Sequence, residues 1–159
     1  MRRLFLNGFT TAAVLLILPL SASRYVTLPD RAPRAEDDPR LASLQRFFAA
    51  ADCPVQHLSA AFLNVADLYQ LDWRLLPSIA FVESTGGKAA RNNNLFGWKS
   101  GRAAFPSMKA AIYHVAYYLA NSTLYRHKNI DQILATYNPD SDYAKRVKFV
   151  MRKIGCCQR

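Results

Sequence analysis

A mainly α-helical domain is what this sequence predicts, and three observations predict it. Apolar residues recur at offsets of three and four through successive segments between residues 41 and 154. No run alternates apolar and polar residues for long enough to make a long strand. Residues that cap or stop helices fall between the periodic segments. The 159 residues favour one domain, and a 51% hydrophobic fraction excludes disorder over the whole chain.

The first segment reads as an address. Arg2 and Arg3 precede an uncharged, mostly apolar run from Leu4 to Ala22, which ends in the small residues Ser21, Ala22 and Ser23. This is the layout of a secretory signal over 1–23, with cleavage expected after Ser23 and a secreted or periplasmic product. The run is also close to spanning length, so an uncleaved membrane anchor is the alternative. No Cys follows it, and no lipoprotein anchor is expected. Residues 24–40 carry three prolines and dense charge without apolar periodicity, which reads as a linker. The folded domain is expected over 41–159, as a monomer.

Within it, Leu41–Ala51 reads as a short amphipathic helix. His57–Gln70 places Leu58, Phe62, Val65 and Tyr69 on one stripe. Asp72 is suited to cap the next helix, which carries Leu75, Leu76, Ile79 and Val82 towards Glu83. Pro77 should distort its first turns or mark its start. Gly86 and Gly87 should stop it. Residues 85–106 contain three consecutive asparagines, three further helix-breaking glycines or prolines beyond that pair, and read as an ordered loop or small hairpin. Ser107 is suited to cap a helix with Met108, Ile112, Val115 and Leu119 on one face. Ile130–Tyr137 is a shorter helix, ended by Pro139. Ser141 is suited to cap the last helix, with Tyr143, Val147, Val150 and Ile154 inward and Lys145, Arg146, Lys148, Arg152 and Lys153 outward.

The net charge of +10 suits an anionic partner. Nucleic acid, anionic lipid and bacterial wall all qualify, so charge does not choose among them. Three cysteines, Cys53, Cys156 and Cys157, leave at least one thiol outside an intrachain bridge. A bridge from Cys53 to Cys156 or Cys157 is expected in an exported chain. Closing a loop of about 100 residues contributes on the order of 4 kcal/mol in the chain-entropy view. The cysteines lack zinc spacing, and neither a metal nor a cofactor is expected.

Glu83 is one of two glutamates in the chain, and the other, Glu36, lies in the linker. It ends the apolar run SIAFVE beside the double glycine. The negative end of the helix dipole and burial against Phe81 or Val82 both disfavour its charge, which raises its pKa. A raised pKa is what a general acid needs to hold its proton near neutrality. The following NNNLFGWKSG offers Asn92, Asn93 and Asn94 as amide partners for sugar hydroxyl and acetamido groups. Phe96 and Trp98 offer flat faces for a sugar ring. The competing roles are turn formation for the asparagines and core packing for the aromatics. Tyr137, in ATYNP, is either half-buried packing or part of the site.

The runs IAFVESTGG and NNLFGWK together resemble the bacterial glucosaminidase family of wall-degrading autolysins, the endo-β-N-acetylglucosaminidase-like group. Ser107–Leu119 and ATYNPDSDYAKRV resemble that family's later helices, so the resemblance covers about residues 58–154. The neighbouring lytic transglycosylases are similar in the pair Glu83–Ser84 and in Ala135-Thr136-Tyr137-Asn138, with one residue inserted. The resemblance implies a lysozyme-like helical domain with a short loop or small hairpin lobe, acting on peptidoglycan. It implies Glu83 as the acid and Tyr137 facing the reacting sugar. Ser84, Asn93, Asn94, Phe96 and Trp98 would line the glycan groove, and no nucleic acid would be involved.

One departure is plain. Many glucosaminidases carry a second carboxylate in an extended lobe, whereas no Asp or Glu occurs here between Glu83 and Asp131. Asp131, Asp140 and Asp142 read as caps or first-turn charges. A one-carboxylate route is therefore expected: either the substrate's acetamido group traps the cation, or the muramic O6 attacks to give a 1,6-anhydro product, as in a lytic transglycosylase. A catalytically silent wall-binding module is the reading from another class. A basic protein of nucleic acid or membrane surfaces is a third.

Overall fold

The computed structural model describes residues 38–156, which lie in one unit of the chain. The expected signal segment, nearly all of the expected linker, and Cys157 fall outside the described residues.

Six α-helices and one short 3-10 turn make up the order: α1 (Pro39–Ala50), the 3-10 turn Pro54–Leu58, α2 (Ser59–Tyr69), α3 (Leu75–Ser84), α4 (Met108–Asn121), α5 (Ile130–Tyr137) and α6 (Ser141–Cys156). The mainly α fold class is thus as expected. No strand occurs among the described residues, only an isolated bridge between Arg91 and Asn94, so 85–106 is an ordered loop rather than a hairpin.

Helix α1 begins two residues before the expected domain boundary. The Asp38 side chain accepts from the Arg40 amide at 2.8 Å, and Pro39 fits the first helical position, where no amide is required. Arg40 also bridges Asp38 and Asp67, both at 2.7 Å, tying the start of α1 to the end of α2. The segment expected as one helix from His57 to Gln70 is split. Pro54 opens a 3-10 turn, and α2 starts at Ser59. Asp72 does not cap α3 directly. Its carboxylate holds the Arg74 amide at 2.9 Å in the turn before the helix, and α3 starts at Leu75 with Pro77 in its first turn. Ser107 does cap α4, accepting from the Ala110 amide at 3.1 Å. Asn129 and Gln132 form a reciprocal capping box at α5. Ser141 is the first residue of α6 rather than its cap. Asp140 takes that role, accepting from the Asp142 amide at 3.0 Å.

The core is one cluster fed by every helix. The inward stripe of α6 is as expected, with Tyr143, Val147, Val150 and Ile154 all buried. Helix α3 runs through the centre, with Leu75 to Ala80 buried without interruption. It packs on α6, while α2 packs on α4. Only at Phe81, Val82 and Glu83 does α3 emerge from the core. Its central path therefore delivers one carboxylate to the surface.

No disulfide joins the described cysteines. Cys53 is a buried free thiol and Cys156 an exposed one. Their positions explain it. Cys53 lies against Gly86, beyond the last turn of α3, where an added Cβ would meet its Sγ at 2.6 Å. Gly155, beside Cys156, lies against Arg74 at the first turn of α3. The ten residues of α3 separate these ends by about 15 Å, well past the Cα spacing that a disulfide bridges. Cys53 instead makes the close approach that requires glycine at position 86, where φ is +59°.

Candidate active site

Glu83 stands one residue before the end of α3. Thr85 closes the helix in the left-handed conformation, at φ +51°, and Gly86 and Gly87 continue with positive φ. This turn sends the chain sharply off the helix axis and leaves the Glu83 side chain partly open at the end of α3. The carboxyl is half-buried. Burial raises its pKa above the ordinary value, and smaller opposing effects come from the Tyr143 hydroxyl and the Arg146 charge. Tyr143 is buried, and its hydroxyl meets no group among the described residues within strict hydrogen-bond geometry. It lies close enough to Glu83 to favour the charged carboxylate. Burial and the Glu83 charge push both Tyr143 and Tyr137 upward, so both phenols stay protonated.

The wall opposite Glu83 is the loop. An added Cβ on Gly97 would sit 2.6 Å from Glu83 Oε2, and Gly97 has φ +59°. The backbone thus passes directly over the carboxylate, which only glycine permits here. Three devices hold that approach. The Ser84 hydroxyl reaches the Leu95 carbonyl at 2.8 Å and the Ala80 carbonyl at 3.0 Å, and accepts from the Gly87 amide at 3.1 Å. The Asn94 side chain takes the Trp98 amide at 2.9 Å and gives to the Trp98 carbonyl at 3.0 Å. The Tyr137 hydroxyl donates to the Phe96 carbonyl.

These bonds reassign several residues expected along the groove. Ser84 is 3% exposed, Asn94 5% and Phe96 0%, so none of the three offers a surface to a ligand. Ser84 and Asn94 staple the loop to the helix and to itself, and Phe96 anchors it in the core. Asn93 is half-buried and gives its amide to the Phe105 carbonyl at 2.9 Å. Trp98 is partly open and does line a cavity. Tyr137, expected to face a reacting sugar, feels the Glu83 charge, but its proton is committed to the Phe96 carbonyl.

Two depressions lie near the end of α3 and the loop packed over it. One, of about 400 Å³, is bounded by Gly97, Trp98, His114, Tyr118, Tyr125 and Tyr137. Its rings meet at an angle: the Trp98 centroid is 5.1 Å from Tyr118, 5.9 Å from Tyr137 and 6.1 Å from His114. The other, of about 700 Å³, opens between the end of α3, at Val82 and Thr85, and the outer face of α6, at Arg146 and Phe149. Glu83 itself lines neither: its carboxylate lies against Gly97 of the first, and its chain neighbour Val82 and Arg146, whose charge acts on it, line the second. Sequence reasoning missed Gly97, Tyr143 and Arg146 as its neighbours. The one available signal was a tyrosine, Tyr143, in an otherwise aliphatic inward stripe.

No second carboxylate is among the groups whose charge acts on Glu83. Asp131, Asp140 and Asp142 are exposed and paired with Lys148, Arg146 and Lys145 at 2.6, 3.0 and 2.7 Å. No cluster of three metal-ligating side chains occurs among the described residues. The arrangement sets a carboxyl that holds its proton more readily than an ordinary glutamate against the loop at Gly97. No family model matches the chain, and neither does any curated protein or solved structure.

Proposed function

We propose that the protein is a glycoside hydrolase of peptidoglycan, similar in action to the bacterial glucosaminidases, with Glu83 as its general acid. The observation that carries this reading is the half-buried Glu83, its pKa raised, held under Gly97 on the wall of an aromatic depression, with Val82 and Arg146 of a larger groove as its neighbours. A polymer lying along the aromatic depression would bring a linking bond to the acid. Aromatic walls suit the C–H faces of sugar rings, and Trp98, partly open, follows directly on the Gly97 that lies over Glu83.

Glu83 gives its proton to the glycosidic oxygen as the C1–O bond breaks. The acetamido oxygen of the same sugar closes on C1, and the Glu83 carboxylate then takes a proton from the water that opens the ring. No protein nucleophile is needed, which accords with the lack of a paired carboxylate. The same geometry also serves attack by the muramic O6, the transglycosylase outcome. Tyr137 is a positioning residue in this scheme, because its proton holds the Gly97 segment over the acid. The apolar N-terminal run supports a secreted or periplasmic site of action.

Mass spectrometry of material released from purified peptidoglycan tests the reading. New reducing ends are expected; products one water lighter would assign the anhydro route instead. No release by correctly folded protein would leave a silent wall-binding module as the better account.

A further inference from the structure

The larger depression has a chemistry that sugar alone does not explain. One wall is apolar: Phe81 and Val82 from α3, with Phe149 and Val150 from α6. Phe149 is 53% exposed, a large apolar ring left open to solvent. The other wall is cationic. Arg152 lies 6.0 Å from the Phe149 ring centroid, and Lys153 lies 5.3 Å from it. Lys145 and Arg146 complete the rim. They pair with Asp142 and Asp140, but both pairs are exposed, and such pairs exchange readily for another carboxylate. Arginine on an aromatic face is preorganised for a planar carboxylate.

We propose that this α3–α6 groove takes the short acidic peptide carried by the sugar next to the bond that is cut. The inference rests on the glycan reading of the site and names the second part of the same substrate. The groove is lined by Val82, the chain neighbour of Glu83, and by Arg146, whose charge acts on Glu83, so it lies within reach of a branch on the sugar that flanks the cut bond. Free carboxylates of the peptide meet Arg152 and Lys145, and its methyl groups meet Phe149 and Val150. The apolar wall is what selects a peptide over a phosphodiester wall polymer, which has the charge but little apolar surface to bury.

The test uses Glu83→Gln protein, so that ligands survive, with binding followed by calorimetry and by amide NMR shifts. The probes are a peptidoglycan tetrasaccharide with acidic tetrapeptides, the same sugar without peptide, the free tetrapeptide, and a glycerol-phosphate oligomer. The peptide-bearing sugar should bind about tenfold more tightly than the bare sugar, with added shifts at Phe149 and Arg152. The double change Arg152→Gln with Phe149→Ala should bring that ratio close to one while the bare sugar still shifts Trp98. Equal affinity for the two sugars, or a ratio that survives the double change, would overturn the proposal. So would shifts on α6 produced as strongly by the phosphate oligomer as by the tetrapeptide. A bare sugar that fails to shift Trp98 while the tetrapeptide still shifts α6 would instead remove the glycan reading and leave an acidic-peptide groove.

Discussion

At the residue scale, Gly97 and Arg146 bear on Glu83 from opposite sides, and each makes a separable prediction. Gly97→Ala forces a Cβ to within 2.6 Å of Glu83 Oε2 at a positive φ. The backbone strain is about 1 kcal/mol, which the fold should survive, but the carboxylate must move. Turnover should fall at least 100-fold with little change in the circular dichroism spectrum, since misplacing a reacting group by about 1 Å has that effect. Near-normal turnover would show that the carboxylate's position over Gly97 is immaterial. Arg146→Gln removes a positive charge that lowers the Glu83 pKa. The acid must be protonated to act, so activity declines as pH rises through its pKa. Removing Arg146 raises that pKa, and the alkaline limb of kcat/KM should move to higher pH. An unmoved or lowered limb would mean that another group governs it. Tyr137→Phe strands the buried Phe96 carbonyl, at a stability cost of about 1–3 kcal/mol. Thermal melting and kinetics together should show a lower Tm and a looser site.

At the element scale, the site is a helix end and the loop pinned across it. Glu83 was legible because it ends an apolar helix next to two glycines, and that local pattern already fixes its burial and its emergence. The six periodic segments were legible for the same reason, since each reports its own buried face. The roles of Ser84, Asn94 and Phe96 were not. Polar and aromatic residues beside an acid suit a ligand and a loop staple equally, and only the folded distances decide. Ser84 reaches Leu95 across 11 positions, and Tyr137 reaches Phe96 across 41, so neither partnership has a local signature. Asp140 displaced Ser141 as the α6 cap because either residue can start a helix, and Asp140 also finds Arg146. The Cys53–Cys156 pairing failed on a tertiary fact, since α3 separates the two, while the Cys157 alternative lies outside the described residues. Trp98 is the element's open face. Trp98→Ala should weaken binding of glycan fragments measured by calorimetry on protein still folded at the working temperature. A lowered Tm with unchanged affinity in the folded fraction would return Trp98 to packing, which its three ring contacts also support.

At the scale of the whole molecule, the acid is held at the expense of stability. Its pKa is raised in the folded state, so its contribution is fully present below the unfolded value near 4.5 and is lost as pH rises through the folded value. Glu83→Gln should therefore melt higher than wild type at pH 7, with the difference closing at pH 4. A variant no more stable at pH 7 would contradict the burial described for the carboxyl. On the proposed function, the charge of +10 and the basic outer face of α6 would add a long-range attraction to an anionic wall, one that salt should weaken. The most direct measurement of the central claim is the rate of muropeptide release from purified peptidoglycan by wild type and by Glu83→Gln at equal folded concentration. The account predicts steady release by the wild type and a loss of about 10²–10⁴-fold in the variant, with glycan binding retained. Release by Glu83→Gln within a few-fold of the wild type would contradict it.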